Sequence, residues 1–202
     1  MRWARWIILL LIAAAIGAVL HYNLPQRDVV RVVETTEIRI DFSAWNRPFY
    51  TSGDSGGGTN LDQRDIRFIR TIRPDGRPSV YRNEDTGWFG WPPYFKTDSE
   101  DLQTEAGALV SDAESPDWVL VTHYGWRSNP LSIYPNAISI RPVDGPDDKP
   151  FPWSNIIIIG LLVLAVFALW RLWERFEERV VVPIVDGVLV RWAKLKDWVR
   201  GR

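Results

Sequence analysis

Residues 155–170, NIIIIGLLVLAVFALW, constrain this chain more than any other stretch. They contain no charge, and their one polar side chain, Asn155, stands at the start. With Trp153 before them and Arg171-Leu172-Trp173 after, they reach the roughly 20 residues that a helix needs to cross a bilayer core. A helix buried in a soluble core keeps a polar stripe, whereas this one is apolar all round. The chain therefore reads as a membrane protein.

A second apolar run lies at the N-terminus. Arg2, Trp3, Arg5 and Trp6 precede an apolar stretch from Ile7 to Leu20, with His21 and Tyr22 at its far end. This pattern predicts a signal anchor over residues 1–23, with basic residues inside and aromatic residues at the interfaces. Ala13-Ala14-Ala15 offers the competing reading of a cleavable signal peptide. The net charge of −1 hides an asymmetry: residues 24–150 are acidic, by 20 carboxylates to 14 basic side chains, while both ends are basic. Basic ends around an acidic middle predict two spans with both termini in the cytoplasm.

Composition also excludes classes of chemistry. The chain has no cysteine, so disulfides and thiolate metal sites are ruled out. Two histidines, His21 and His123, cannot form a histidine-rich metal cluster, and no metal or cofactor is expected. An acidic middle argues against nucleic acid, whose phosphates require net positive surface. Charge-free spans argue against a transporter or channel.

Between the spans, residues 24–152 predict a small α+β periplasmic domain, rich in strands and with one main helix. Pro25 ends the first helix. Asp28–Phe42 is rich in Val, Ile and Thr, and its later part alternates Glu37, Arg39 and Asp41 with Ile38, Ile40 and Phe42, as a half-buried strand does. Thr51–Asn60, TSGDSGGGTN, is a flexible loop by composition. Ile66–Ile72 alternates again, a Pro-Asp-Gly turn follows at Pro74–Gly76, and Ser79–Arg82 is the return strand of a hairpin. Thr97–Ala113 reads as the helix, capped by Thr97 or Asp98, with Leu102, Ala106, Leu109, Val110 and Ala113 on its apolar face. Asp117–Trp126 and Asn136–Val143 are further strands, the second confined by Pro142 to an edge or to its own end.

Residues 153–173 are the second predicted span and residues 174–202 a helical cytoplasmic tail. Pro183 is expected to break or kink it. Over residues 184–200, Val185, Val188, Leu189, Trp192, Leu195 and Val199 recur on one helical face. Arg191, Lys194 and Arg200 lie away from that face, and with Trp192 they form the candidate membrane-surface set of a basic amphipathic helix. Packing against a partner or a second copy is the alternative.

Gly53-Asp54-Ser55-Gly56-Gly57 spells the string around a chymotrypsin-like nucleophile, yet the only upstream histidine is His21 at the membrane edge, so catalysis there is discounted. The loop also lacks the Gly-Lys-[Ser/Thr] of a phosphate-binding P-loop. His123 with Glu84 or Asp85 could form an acid–base pair. Tyr81–Lys96, YRNEDTGWFGWPPYFK, is richer: rigid aromatics on a Gly/Pro-shaped loop beside hydrogen-bonding groups suit recognition. The plainer reading has Trp88, Trp91 and Phe95 covering the bottom of a small core. The candidate partner- or ligand-binding residues are Tyr81, Arg82, Glu84, Asp85, Trp88, Trp91, Tyr94, His123, Trp126 and Arg127.

LPQRDVVR at 24–31, YRNEDTGW at 81–88, GWPPYFK at 90–96 and VTHYGWR at 121–127 resemble a bacterial membrane-protein family, the domain-of-unknown-function family 1523. The resemblance runs from the first span to the second and implies a bacterial inner-membrane setting. It brings no activity, cofactor or catalytic residue. The leading functional expectation is a non-enzymatic accessory protein that contacts a membrane-protein partner, or a copy of itself, through Tyr81–Phe95. A periplasmic ligand sensor comes second and an envelope hydrolase third.

Overall fold

A computed structural model describes residues 2–50, 63–88 and 91–199, so the Gly-rich loop 51–60 and Arg200 lie outside the described residues. The chain divides into two compact units, Met1–Phe151 and Pro152–Arg202.

In the first unit, helix α1 (Arg2–Asn23) leads into strand β1 (Gln26–Asp41), with Leu24 and Pro25 as the break between them. Strands β2 (Gln63–Ile72) and β3 (Pro78–Asn83) form the expected hairpin. Helix α2 (Ser99–Ala108) precedes β4 (Trp118–Tyr124) and β5 (Asn136–Pro142). The five strands close into a barrel in the order β1-β2-β3-β5-β4. Strand β1 makes closure possible by serving two neighbours: residues 26–31 pair with β4, and residues from Arg31 onward pair with β2. A register shift between Val32 and Glu34 bends the strand at that handover. The seam is narrow, with Arg82 paired in parallel to Asn136 and the Arg82 N–H donating to the Pro135 carbonyl at 2.9 Å. This order, with a helix between the third and fourth strands, is the topology of the OB-fold barrel.

Alternation along the strands fills the interior. Val30, Val32, Ile69, Tyr81, Val119, Val121, Ala137 and Ile140 point inward, and Leu102 and Ala106 of α2 plug the barrel, with Leu109 packed beside them. Ile66 and Phe68, one residue out of phase with Ile69, face outward into a second cluster with Tyr50, Phe42 and Tyr134. Pro142 ends β5, as expected, because a ladder cannot continue past a residue without an N–H.

Three local expectations are corrected. The helix stops at Ala108 and does not reach Ala113, because Val110 leaves it to bridge Val32, and Ser111 N–H donates to Val32 O at 3.1 Å. Its cap comes from afar: the Asp85 carboxylate accepts from the Ser99 N–H at 2.9 Å and the Ser99 hydroxyl at 2.8 Å, while neither Thr97 nor Asp98 supplies a side-chain cap. Ile38, expected to be half-buried, is 41% exposed.

The second unit is helical from Trp153 to Val199. Helix α3 (Trp153–Phe176) passes through a π-helical turn, Glu177–Val181, into α4 (Val182–Val199). Pro183 neither breaks nor ends the helix. The wider turn just before it absorbs the missing N–H and the ring clash that a proline brings. Val185, Val188, Leu189, Trp192 and Leu195 of α4 are all exposed. Two helical segments are long and apolar enough to cross a membrane, Trp3–Asn23 and one within Trp153–Lys196, and none of their apolar windows is buried in the protein.

Candidate functional site

The end of α1 is where the loops of the barrel meet. Tyr22 lies 5.9 Å from Phe49 in the β1–β2 connection and edge-on to Tyr124 and Trp126 at 6.2 and 5.3 Å. Tyr94, in the connection from β3 to α2, stacks on Tyr124 at 4.9 Å and donates its hydroxyl to the Asn23 carbonyl. Trp126 donates its indole N–H to His21 Nδ1 at 3.0 Å. The Gly125 N–H donates to Tyr22 O at 2.9 Å. Gly125 has φ of +94°, a backbone conformation that side-chain-bearing residues rarely adopt, so glycine is what lets the chain turn here against Tyr22 and Pro135.

Among these groups lies a cleft of about 310 Å³, lined by Ala18, Val19 and Tyr22 of α1 and by Phe49, Tyr50, Arg82, Trp91 and Trp126. Its floor is ionic. Arg82, 2% exposed, donates to Glu84 at 2.5 Å, and Arg64 also pairs with Glu84. The guanidinium lies over the Tyr50 ring at 4.9 Å, and its Nε has no partner among the described residues. Burial pushes the Tyr50 hydroxyl up to about 12, against the pull of Arg82, so it is a neutral donor and gives its proton to Ser132 O at 2.7 Å. Asn136 ties the seam to this floor, accepting the Glu84 N–H at 2.9 Å and donating to Glu84 O and to the Tyr124 hydroxyl.

Behind the floor, inside the barrel, Lys96 is 4% exposed. Its ammonium donates to Asn83 Oδ1 and, at 2.8 Å, to Ala137 O. Burial lowers it to about 8, with Asp85, Asp98 and Glu84 pulling the other way.

A second buried set surrounds Asp28. Its Oδ2 accepts from the Tyr81 hydroxyl at 2.8 Å, from Arg73 at 3.0 Å and from His123 Nε2 at 3.1 Å. Burial alone would raise the carboxyl, but His123, Tyr81 and Arg73 together hold it well below the usual carboxylate range.

The predicted residues separate into three places. Tyr81 and His123 are inside the barrel on Asp28, so the expected partnering of His123 with Glu84 or Asp85 is corrected: Glu84 is held by two arginines and Asp85 caps α2. His123 is 5% exposed, which leaves it without the open cleft that an acid–base role needs. Arg82, Trp91 and Trp126 come together around the cleft, with Glu84 paired to Arg82 and Tyr94 stacked on Tyr124. Trp88 and Phe95 stand outside it, their rings 6.2 Å apart and 73% and 56% exposed. With Trp91 also 70% exposed, these aromatics do not cover the core, contrary to the plainer expectation. Arg127 lies over the Tyr134 ring at 4.1 Å.

Sequence reasoning missed Asp28, Arg64, Lys96 and Tyr22. Asp28 and Lys96 stand within the strings LPQRDVVR and GWPPYFK that carried the resemblance, so a charge inside each specific string was the available signal. Arg64 offered none.

Fold and site together define a class: a small closed α+β barrel whose loops gather on the end of an apolar helix, joined to a second apolar helical unit. The family described as "Protein of unknown function (DUF1523)" matches residues 1–177, and the chain belongs to it. An uncharacterized protein of Haemophilus influenzae is 36% identical over 167 residues, spanning 83% of this chain and 87% of that protein. No solved structure matches the chain.

Proposed function

We propose that this is a two-span protein of the bacterial inner membrane, with both termini cytoplasmic and the barrel in the periplasm. In this reading it is a non-enzymatic accessory protein that contacts a membrane-protein partner. The observation that carries it is the exposure of Trp88, Trp91 and Phe95 on one loop, since large rigid aromatics left in water are the usual anchors of an interface. The two apolar helices and their charged flanks support the membrane setting. The exposed apolar side chains of α4, with Arg191, Trp192 and Lys194, support contact with the inner leaflet, for which the helix would have to bend at the π-helical turn before Pro183.

The test is a gentle-detergent pull-down of tagged full-length protein beside a W88A/W91A variant. One membrane complex recovered with the wild type and lost with the variant supports the reading. If the two recover the same proteins, or none, the aromatic loop is not an interface. A sensor is favoured as second reading by the cleft lined by Trp91 and Trp126, which lies on the face where OB-folds receive ligands.

A further inference from the structure

We propose that the cleft at the end of α1 holds the headgroup of one phospholipid, with its phosphate toward Arg82 and its chains remaining in the bilayer. The inference rests on the membrane reading above and adds a ligand to it.

Three observations converge. Ala18 and Val19 line the cleft and belong to the apolar helix, four to five residues before it ends at Asn23. At ~1.5 Å rise per residue the cleft therefore reaches about 6–8 Å along the span, where a helix that crosses the bilayer is already passing the headgroup layer. Lipid is the solvent at that wall. Second, the rest of the lining is largely aromatic, with Phe49, Trp91 and Trp126, and the amphipathic tryptophan ring is of the kind that settles at the membrane interface. Third, the floor carries a guanidinium. Arg82, nearly wholly buried, pairs with Glu84 and keeps an Nε–H that no atom among the described residues accepts. A buried guanidinium with an unused donor is an incomplete site, and phosphate oxygens complement it in geometry and charge. The volume of about 310 Å³ is at the lower end of small-molecule sites, large enough for a headgroup and too small for acyl chains. A free anion would satisfy Arg82 equally, but it would leave the walls of Val19 and Trp91 facing lipid unused, so the lipid is the occupant the whole lining favours.

Native mass spectrometry of the full-length protein in dodecyl maltoside tests this, with dioleoyl-phosphatidylglycerol added in one arm and inorganic phosphate in another. The wild type should retain one lipid per chain at concentrations where phosphate leaves no adduct. Val19→Trp, which fills the cleft from the helix side and leaves the ionic floor intact, should reduce lipid occupancy at least tenfold with an unchanged unfolding midpoint. Ala18→Phe serves as a second filling variant should V19W fold poorly. Equal lipid on the wild type and on both variants, retention of phosphate in place of lipid, or no adduct at all would each overturn the inference. Release of the protein from membranes by a sodium carbonate wash separates the two failures: a protein that washes off sinks the membrane reading itself, while one that stays and binds no lipid sinks only the occupant.

Discussion

Asp28 on β1 and Arg82 on β3 are both charges inside the same small barrel unit, and they are accommodated in opposite ways. Asp28 gathers three donors on one oxygen, from His123, Tyr81 and Arg73, each on a different strand or turn. It is a staple between β1, β4 and the β2–β3 hairpin. Arg82 lines a cleft and pairs with Glu84, which Arg64 also contacts, and its Nε has no partner among the described residues. Where the surroundings saturate a buried charge, the charge serves the fold. A charge left incomplete beside a cleft is a place for something else to bind.

Removal of Glu84 is the sharpest way to separate the two. Glu84→Ala removes the carboxylate that pairs with both arginines and takes from the buried Arg82 its ion-pair partner. A broken buried ion pair commonly loses about 3–5 kcal/mol, so the barrel should unfold at a much lower denaturant concentration. Chemical unfolding in detergent, followed by tryptophan fluorescence, checks this. A loss under about 1 kcal/mol would mean that water reaches the floor and that it is not the closed ionic layer described.

The Asp28 staple should weaken less and in a pH-dependent manner. Asp28→Asn keeps shape but loses charge-assisted bonds, for about 2 kcal/mol at pH 7. Because the folded carboxyl titrates below its unfolded value near 3.8, its stabilisation is complete above that value and is lost as pH falls below it. Wild type and D28N should therefore converge under acid. Parallel curves from pH 7 to pH 3 would remove Asp28 from the account of stability.

The strands were legible because barrel walls alternate: Ile66 and Phe68 against Ile69 and Thr71, and Val119 and Val121 along β4, lie as the pattern predicts. Both apolar helices were legible from their length and lack of charge. Closure into a barrel was not, since it depends on the bend at Val32–Glu34 and on one pairing, Arg82 with Asn136, distant in sequence. The site was half legible. Local composition marked the loop from Tyr81 to Lys96, but whether a residue faces the interior, the cleft or water alternates residue by residue. Tyr81 and Asn83 therefore went inward, Arg82 to the cleft, and Trp88 outward. The partnering of His123 depended on which strand lies beside β4, and that strand is β1.

Lys96 provides an internal gauge of how dry the barrel is behind the Arg82 floor. Its folded value near 8 lies below the roughly 10.4 of an unfolded lysine. Between those values the unfolded chain holds more protons, so stability should rise with pH, by about 1–2 kcal/mol from pH 8 to 9.5. Lys96→Met should flatten that slope whatever its effect at pH 7. A wild-type curve already flat over this range would place water beside the ammonium and make the interior wetter than its burial indicates.

The smallest expected effect on stability belongs to the loop that the proposed interface needs. Trp88 is mostly exposed and meets the tilted Phe95 ring, 6.2 Å away, so Trp88→Ala should change stability by no more than about 0.5 kcal/mol, as do most surface substitutions. Thermal unfolding of the purified variant measures it. That small value is what makes the substitution informative: loss of partner recovery in W88A without loss of stability assigns the tryptophan to binding, because a side chain that holds up the fold cannot be removed so cheaply. A destabilisation above about 2 kcal/mol would instead make Trp88 a packing residue and place the aromatic loop with the Asp28 cluster among the parts that hold the fold.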